Sequence, residues 1–165
     1  MRLGTGFSPK MQKLEWRPID DQVMGGVSAS AVEPAADGSS VFTGHVSTRY
    51  GGGFASVRAA TPGLDLSAFR GLKLRLRGDG KRYKINLKNS PGFDGPLFQA
   101  SFSTLPAGEW IDIALAFSDF VPTFRGNELS SDYTLDAGRI ESIGIMISEK
   151  QAGEFRLEIQ TLECY

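Results

Sequence analysis

Hydrophobic and polar residues alternate along most of this chain, and this period of two predicts β-strands, whose successive side chains point to opposite faces. Leu72, Leu74 and Leu76, for example, alternate with basic residues. The pattern recurs in nine segments: 27–32, 41–48, 54–59, 72–77, 83–88, 97–103, 110–117, 143–148 and 155–160. Such spacing is typical of an all-β, antiparallel sandwich or jelly roll. Short helical turns are expected only at 64–69, 118–120 and 136–140.

Two Asp-Gly pairs mark expected turns between strands, because these residues favour the tight turns of β-hairpins. Asp37-Gly38 lies between the first two segments, and Asp79-Gly80 lies between 72–77 and 83–88. We therefore expect 72–77 and 83–88 to be antiparallel neighbours in one sheet. The tripeptide Arg77-Gly78-Asp79 is interpreted as part of this turn and not as an adhesion motif.

The length of 165 residues predicts a single domain with its own hydrophobic core. We expect residues 1–14 to form a flexible N-terminal segment and residues 15–165 to form the sandwich domain. The 18 basic and 19 acidic residues give a net charge of -1, which argues against nucleic-acid binding. No stretch approaches the roughly 18 apolar residues of a membrane span, so no direct membrane insertion is expected.

The reactive side chains argue against an enzyme. The single cysteine, Cys164, cannot form an internal disulfide, and with the single histidine, His45, it supplies too few ligands for zinc. The lone cysteine and the lack of a secretion signal favour a cytoplasmic protein. No nucleophile elbow or phosphate-binding loop is present. We expect no catalytic residues, no metal and no cofactor, although the carboxylate pair of a glycoside hydrolase is visible only in three dimensions.

Paired glycines mark two motifs, 20–28 and 51–58, and permit backbone conformations that other residues avoid. We interpret both motifs as structural, with aspartate side chains bonding the backbone of a turn and Phe54 in the core. The residues given this role are Asp20, Asp21, Met24, Gly25, Gly26, Gly52, Gly53 and Phe54. Two alternatives stay open: the aspartates bind calcium, or they bind a basic side chain of a partner that Met24 also contacts.

Basic and amide side chains fall on the polar sides of three expected strands. They are Arg75, Arg77, Lys84, Asn86, Lys88, Gln99 and Ser101. If those strands are adjacent, their polar sides form a platform suited to carboxylate, phosphate or sugar hydroxyl groups. The alternative is an ordinary solvated sheet face. Arg58, in another strand, is expected inside or at the rim with a carboxylate partner.

Two turns offer a second candidate surface for a protein partner. Phe124-Arg125 follows a proline and precedes a glycine, and aromatic and arginine residues are enriched at interface hot spots. Lys150-Gln151 lies in another turn, before Gly153. We expect both pairs at the same end of the molecule, where they contact the partner.

Six motifs, taken in order, resemble the complex I intermediate-associated protein 30 family from about Glu15 to Tyr165. They are 21–28 (DQVMGGVS), 52–58 (GGFASVR), 77–84 (RGDGKRYK), 117–126 (FSDFVPTFRG), 143–148 (IGIMIS) and 150–159 (KQAGEFRLEI). The resemblance implies a galactose-binding-domain-like β-sandwich. It also implies a role in assembly, since mitochondrial relatives are assembly chaperones of respiratory complex I. Plant and algal relatives carry a second, dehydrogenase-like domain and act in photosystem biogenesis, whereas a stand-alone version like this one resembles bacterial members.

The leading hypothesis is therefore a non-catalytic protein-binding module that assists assembly of a membrane-associated respiratory or photosynthetic complex, with subunits of that complex as partners. A carbohydrate-binding module is the first alternative, and it requires an exposed aromatic ring for stacking. The candidate rings are Trp16, Tyr50, Tyr83, Trp110 and Phe124. The second alternative is a small-molecule enzyme or cofactor-binding protein with a pocket lined by Arg58, Asn86 and Gln99.

Overall fold

The structure of the chain, a computed structural model, describes residues 14–20, 26–92 and 94–165. These ranges contain twelve β-strands and two short 3-10 turns, Arg49–Gly51 and Phe117–Asp119. The strands are β1 (Trp16–Pro18), β2 (Ala29–Pro34), β3 (Ser40–Val46), β4 (Ala55–Leu64), β5 (Gly71–Arg77), β6 (Arg82–Lys88), β7 (Leu97–Ser103), β8 (Ile111–Ala116), β9 (Val121–Phe124), β10 (Asn127–Glu128), β11 (Ile140–Ile147) and β12 (Gly153–Cys164).

The strands form two sheets that pack face to face. Within the described ranges, one sheet has seven strands in the order β1-β4-β11-β6-β7-β9-β10, and the other has five in the order β2-β3-β12-β5-β8. Neighbouring strands are antiparallel in both sheets. The predicted all-β, antiparallel sandwich is confirmed.

Side chains from both sheets meet in one hydrophobic core. Leu72, Leu74 and Leu76 of β5 point inward and are buried, as the alternation predicts. Across the interface, the ring of Phe42 on β3 lies edge-on to the ring of Tyr83 on β6, with 6.3 Å between centroids. This packing buries the inner faces of both sheets. Contacts with other molecules are therefore made through the two outer faces, the sheet edges and the loops.

Residues 72–77 and 83–88 are not neighbours, and the predicted hairpin is wrong. β5 pairs with β12 and β8 in the five-stranded sheet, whereas β6 pairs with β11 and β7 in the other sheet. The Asp79-Gly80 turn therefore crosses between the sheets. The Asp79 carboxylate stabilises the crossing, because it accepts hydrogen bonds from the Tyr83 hydroxyl at 2.9 Å and from the Arg156 backbone N–H on β12 at 2.9 Å.

Three strands lie outside the nine predicted segments, namely β1, β9 and β10. All three are short, and β9 contains Pro122, so no alternation is long enough to identify them. Of the expected helical turns, 118–120 overlaps the second 3-10 turn. The other two are single turns, closed by the Phe69 N–H to Leu66 O and by the Arg139 N–H to Asp136 O.

Candidate functional site

The outward side of the seven-stranded sheet carries a polar surface, which we call the polar outer face. The register places Arg58 of β4 beside Gly144 of β11, Gly144 beside Asn86 of β6, and Asn86 beside Gln99 of β7. Paired residues of neighbouring strands project to the same side of a sheet. The polar outer face comprises Arg58, Lys84, Asn86, Lys88, Gln99, Ser101, Ser142, Gly144 and Met146.

Asn86 lies at the centre of the polar outer face and is only 4% exposed. Its Oδ1 atom is buried and accepts no hydrogen bond from the described residues. Its Nδ2 atom lies 4.0 Å from Met146 Sδ, and Gln99 Nε2 donates to the same sulfur at 3.6 Å. Gly144 provides the space for this side chain, because a Cβ atom at position 144 would lie 3.3 Å from Asn86 Cβ. The centre of the face is thus a patch of amides with one unsatisfied acceptor.

Lys88 is fully buried beside this patch. Its ammonium group donates to the backbone oxygen of Ser90 at 3.0 Å and to Ser90 Oγ at 2.8 Å. Burial lowers the pKa of Lys88, the charge of Arg58 lowers it further, and Asp94 acts in the opposite direction. Burial also lowers the pKa of Arg58. The face therefore holds positive charge that is partly withdrawn from water, where an added anion would interact more strongly than at an open surface.

Arginines on the outer face of the five-stranded sheet and lysines on the polar outer face differ in their partners. On the five-stranded sheet, Arg75 pairs with Asp112 at 3.1 Å, and Arg77 pairs with Glu158 at 3.0 Å. Both guanidinium groups also lie over the ring of Trp110, at 5.7 and 4.5 Å from its centroid. On the polar outer face, neither Lys84 nor Lys88 forms an ion pair with a carboxylate of the described residues.

Arg75 and Arg77 therefore do not belong to the predicted platform, and that part of the expectation is wrong. They project from β5, which is in the five-stranded sheet, so they lie on the opposite outer face. The structure does bring Lys84, Asn86 and Gln99 together, because β6 and β7 are paired. Sequence reasoning missed Gly144 and Met146. Their signal was the alternation of isoleucines with small or polar residues in 142–147, but nothing in the sequence places β11 between β4 and β6.

A groove of about 700 Å³ lies at the β1 edge of the polar outer face. Arg17 and Arg58, which are paired residues of β1 and β4, line it together with Ser142. Glu141 also lines the groove, and hydrogen bonds from the Gly63 backbone and Arg139 hold the pKa of that carboxyl below its usual range. The groove thus continues the polar surface toward the sheet edge, with two arginines and two glutamates, Glu15 and Glu141, in its lining.

The two partner-contact turns lie at opposite ends of the sandwich, and the expectation of a shared end is wrong. Arg125 forms an ion pair with Asp94 at 2.9 Å, beyond the last residue of β6. Gln151 bonds the backbone of Arg82, the first residue of β6, through both its amide oxygen and its amide nitrogen. The reason is the strand direction: β11, which precedes the 149–152 turn, runs antiparallel to β6.

Side chains in both of these turns make contacts within the chain. The Arg125 guanidinium lies 5.0 Å from the ring centroid of half-buried Phe124. Lys150 adopts a left-handed backbone with φ of 54°, and Gln151 ties the turn to β6. Gln151 is therefore engaged within the chain, whereas Arg125 remains largely exposed.

Asp20 connects the two sheets. Its Oδ1 accepts hydrogen bonds from the Ser56 backbone N–H of β4 at 2.9 Å and from Ser30 Oγ of β2 at 2.5 Å, and its Oδ2 accepts from the Ser30 backbone N–H at 3.1 Å. β2 and β4 are in different sheets, so this buried carboxylate is a clamp between them. Asp21, Met24 and Gly25 lie outside the described residues, as does the predicted segment 1–14 apart from Leu14.

The other glycine motif leads into β4. In this motif Gly52 and Gly53 are buried, as is Gly26 of the first motif. Gly53 has a φ of 143°, and a Cβ atom there would meet the side chain of Lys150 at 3.1 Å, which favours glycine at this close approach. Phe54 is half-buried and lies outside the central core, contrary to expectation, because the inward positions begin with Ala55.

The aromatic rings are poorly placed for a sugar platform on the polar outer face. Tyr83 is fully buried between the sheets, and its pKa is raised by burial and by the neighbouring Asp79. Trp110 lies on the opposite outer face, beneath two arginines. Tyr50 is 72% exposed, but it belongs to the 3-10 turn before β4. Among the described residues, the polar outer face presents no aromatic side chain.

The reactive groups are dispersed. Cys164 is buried, and burial together with the charge of Glu163 raises the pKa of its thiol to about 11. His45 is exposed on β3 beside Glu154 of β12. In the part of the chain that the structure describes, no three histidine, cysteine or acidic side chains converge as metal ligands. No helix in the same ranges is long and apolar enough to cross a membrane.

Comparison with solved structures shows the fold that this chain shares with known proteins. The family 11 carbohydrate-binding module of Clostridium thermocellum, solved with a β-1,3-1,4-mixed-linked tetrasaccharide, superposes with a TM-score of 0.68 over 94% of this chain and 92% of that chain, at 18% identity. The same module in the cellulosomal cellulase Lic26A-Cel5E also gives a TM-score of 0.68, with 99% and 95% of the two chains covered and 18% identity. This chain thus shares the β-sandwich fold of these modules.

The sequence identifies the family. Residues 5–159 match Complex I intermediate-associated protein 30, so this chain belongs to that family. The probable mitochondrial complex I intermediate-associated protein 30 of Caenorhabditis elegans is 30% identical over 158 residues, which cover 85% of this chain and 46% of that protein. An uncharacterized protein of Schizosaccharomyces pombe is 28% identical, with 90% and 76% covered. The chain thus spans about half the length of the Caenorhabditis relatives that it matches.

Proposed function

We propose that this chain is a non-catalytic protein-binding module that assists the assembly of a membrane-associated respiratory complex of the complex I type. The observation that carries this proposal is membership of a family whose curated relatives are named after intermediates of complex I. The polar outer face supports it, because half-buried Lys84 lacks an ion-pair carboxylate among the described residues and is available to a charged partner.

A catalytic role has little support from the side-chain chemistry. A thiol with a pKa of about 11 remains protonated near neutral pH, and the thiolate is the reactive form. His45 faces solvent on a strand, and its pairing partner across the sheet is Glu154 and not a nucleophile. These features favour binding over turnover.

The proposal is tested in the native host. The gene is disrupted, membranes are resolved by native electrophoresis, and NADH:quinone oxidoreductase activity is measured. We expect mature complex I to decrease and subassemblies to accumulate, with recovery when the wild-type chain is returned. Complex I at wild-type abundance and activity in the disrupted strain would reject the assembly role.

A carbohydrate-binding role is the second candidate, and only the likeness of fold favours it. The buried position of Tyr83 removes one of the rings on which that role relied. Affinity electrophoresis through a gel containing mixed-linked β-glucan distinguishes the two functions. Retardation of the wild-type chain that disappears on Tyr50→Ala, while Tyr133→Ala remains retarded, would favour the carbohydrate role.

A further inference from the structure

We propose that the polar outer face binds an extended acidic segment of a partner protein, with carboxylates near Lys84 and Arg58 and a main-chain N–H at Asn86 Oδ1. This inference rests on the proposed function, because it specifies how the protein-binding module recognises its partner. Its basis is one buried acceptor, unsatisfied by the described residues, on the same face as Lys84 and Arg58.

The first argument is the state of Asn86. A buried acceptor without a donor destabilises the free protein, because its hydration is lost and nothing replaces it. Asn86 Oδ1 is such an atom, on a side chain that is 4% exposed. A peptide N–H from a bound segment supplies the missing donor. Gly144, the residue of β11 paired with Asn86, has no side chain that would cover the amide from that strand.

The second argument is charge. Lys84 and Lys88 lack ion-pair partners among the described carboxylates, whereas Arg77 and Arg156 on the opposite outer face share Glu158 at 3.0 and 3.2 Å. Lys84 is therefore an uncompensated charge, although the whole chain has a net charge of only -1. A partner of opposite charge, rich in aspartate or glutamate, complements this surface.

The third argument is the distance across the polar outer face. Arg58 and Gln99 are separated by the strands β11 and β6, so three inter-strand steps lie between them. At about 4.8 Å per step this distance is about 14 Å, which roughly four residues of an extended chain span at about 3.3 Å each. A short extended segment lying across the strands therefore reaches the arginine, the central asparagine and the glutamine together.

The absence of an aromatic ring among the described residues of this face favours a peptide over a sugar. Sugar rings are commonly held by stacking on exposed aromatic side chains. Met146, which is half-buried between the two amides, offers a thioether and no ring. Donor groups and charge dominate the surface, and both suit carboxylates and peptide groups.

The test is fluorescence anisotropy with the purified full chain and a labelled peptide of alternating glutamate and glycine, compared with the matched glutamine–glycine peptide. We expect the acidic peptide to bind more tightly and its affinity to fall as salt is added. Lys84→Gln and Asn86→Leu should each weaken binding by about tenfold, a loss typical of a hydrogen bond to a charged group or of a buried polar contact. Lys73→Gln, on the opposite outer face, is the matched control and should leave affinity unchanged.

Four results would overturn the inference: no binding of the acidic peptide, equal binding of the neutral peptide, equal weakening by Lys73→Gln, or competition by a mixed-linked β-glucan oligosaccharide that is lost with Asn86→Leu. Lys84 is only half-buried, so its variant remains informative if Asn86→Leu misfolds. The two proposals fail separately. If the Lys84→Gln chain restores complex I fully in the disrupted strain, the assembly function stands and the acidic segment is rejected.

Discussion

Asn86 and Asn89 lie on one strand and its exit, yet their amide groups have opposite hydrogen-bonding states. Asn86 Oδ1 has no donor within the part of the chain that the structure describes. Asn89 Oδ1 accepts from the Asp136 backbone N–H at 2.8 Å, and its Nδ2 donates to the backbone oxygens of Asp136 at 2.7 Å and Arg139 at 2.6 Å. One asparagine therefore joins two loops of the fold, and the other holds an unused polar atom in a buried position.

The two asparagines should respond differently to the same substitution. Asn86→Leu removes an unsatisfied acceptor and keeps the approximate volume, so we expect the free energy of unfolding to stay within about 0.5 kcal/mol or to rise by about 1 kcal/mol. Asn89→Leu removes three satisfied bonds and should lower it by about 2–3 kcal/mol. Urea denaturation measures both. A loss with Asn86→Leu as large as with Asn89→Leu would show that the Asn86 amide is satisfied in the folded state.

Asp20→Ala should destabilise the sandwich by about 3 kcal/mol, because it breaks a charged hydrogen-bonding clamp between β2 and β4. The matched control is Asp37→Ala. The exposed Asp37 carboxylate accepts from Ser39 within one turn, so its loss should destabilise the protein much less than the loss of Asp20. Thermal unfolding compares the two, and equal losses would mean that Asp20 does not join the sheets energetically.

Tyr83→Phe should lower the free energy of unfolding by about 1–2 kcal/mol, because the hydroxyl donates to the Asp79 carboxylate that stabilises the crossing between the sheets. Tyr133→Phe serves as the control, since Tyr133 is 52% exposed, and should change stability by less than about 0.5 kcal/mol. Chemical denaturation with both variants decides the matter. An unchanged Tyr83→Phe protein would contradict a structural role for the Tyr83–Asp79 bond.

The raised pKa of the Cys164 thiol predicts that the free energy of unfolding decreases at alkaline pH. Its pKa is raised from 9.0 to about 11 by burial and by Glu163, so the unfolded thiol loses its proton at a lower pH than the folded thiol. The contribution is fully present below about pH 9 and is lost as pH rises through about 11. Urea unfolding across this range should show a smaller loss for Cys164→Ala than for the wild type. Parallel curves for the two proteins would contradict a raised pKa.

The same burial predicts slow chemistry at Cys164. The thiol is 2% exposed, so a disulfide reagent such as dithionitrobenzoate should react with it at neutral pH only when the chain unfolds. The measurement is the rate of thionitrobenzoate release with and without denaturant. Rapid reaction of the native protein would place Cys164 at an accessible surface.

The strands were predictable from sequence because burial of one face imposes a strict alternation, as in Leu72, Leu74 and Leu76. The assignment of strands to sheets was not. Alternation reveals which side chains point inward, but it does not distinguish a hairpin from a crossing between packed layers. The Asp79-Gly80 turn illustrates this. The Asp79 carboxylate accepts a hydrogen bond from the backbone N–H of Arg156, which belongs to a strand much later in the chain.

The alternation of polar and hydrophobic residues also predicted about half of the residues of the polar outer face. Lys84, Asn86 and Gln99 were expected to be near one another, because they alternate with core residues in two consecutive strands. The contributions of Gly144 and Met146 were not predictable, because they depend on long-range insertion of β11 between β4 and β6. The lack of a partner for Asn86 Oδ1 is likewise a property of three-dimensional packing and leaves no trace in the sequence.

The position of β12 also has a consequence for biosynthesis. β12 follows every other strand in the chain, yet it lies between β3 and β5, and Thr43 Oγ1 donates to the backbone oxygen of Phe155 at 3.1 Å. While residues 153–164 are still inside the ribosome, β3 and β5 have no common neighbour and their inner edges stay unpaired. The five-stranded sheet therefore cannot be completed until β12 has left the ribosome. Until then, the nascent chain exposes two unpaired strand edges, which can associate with other chains.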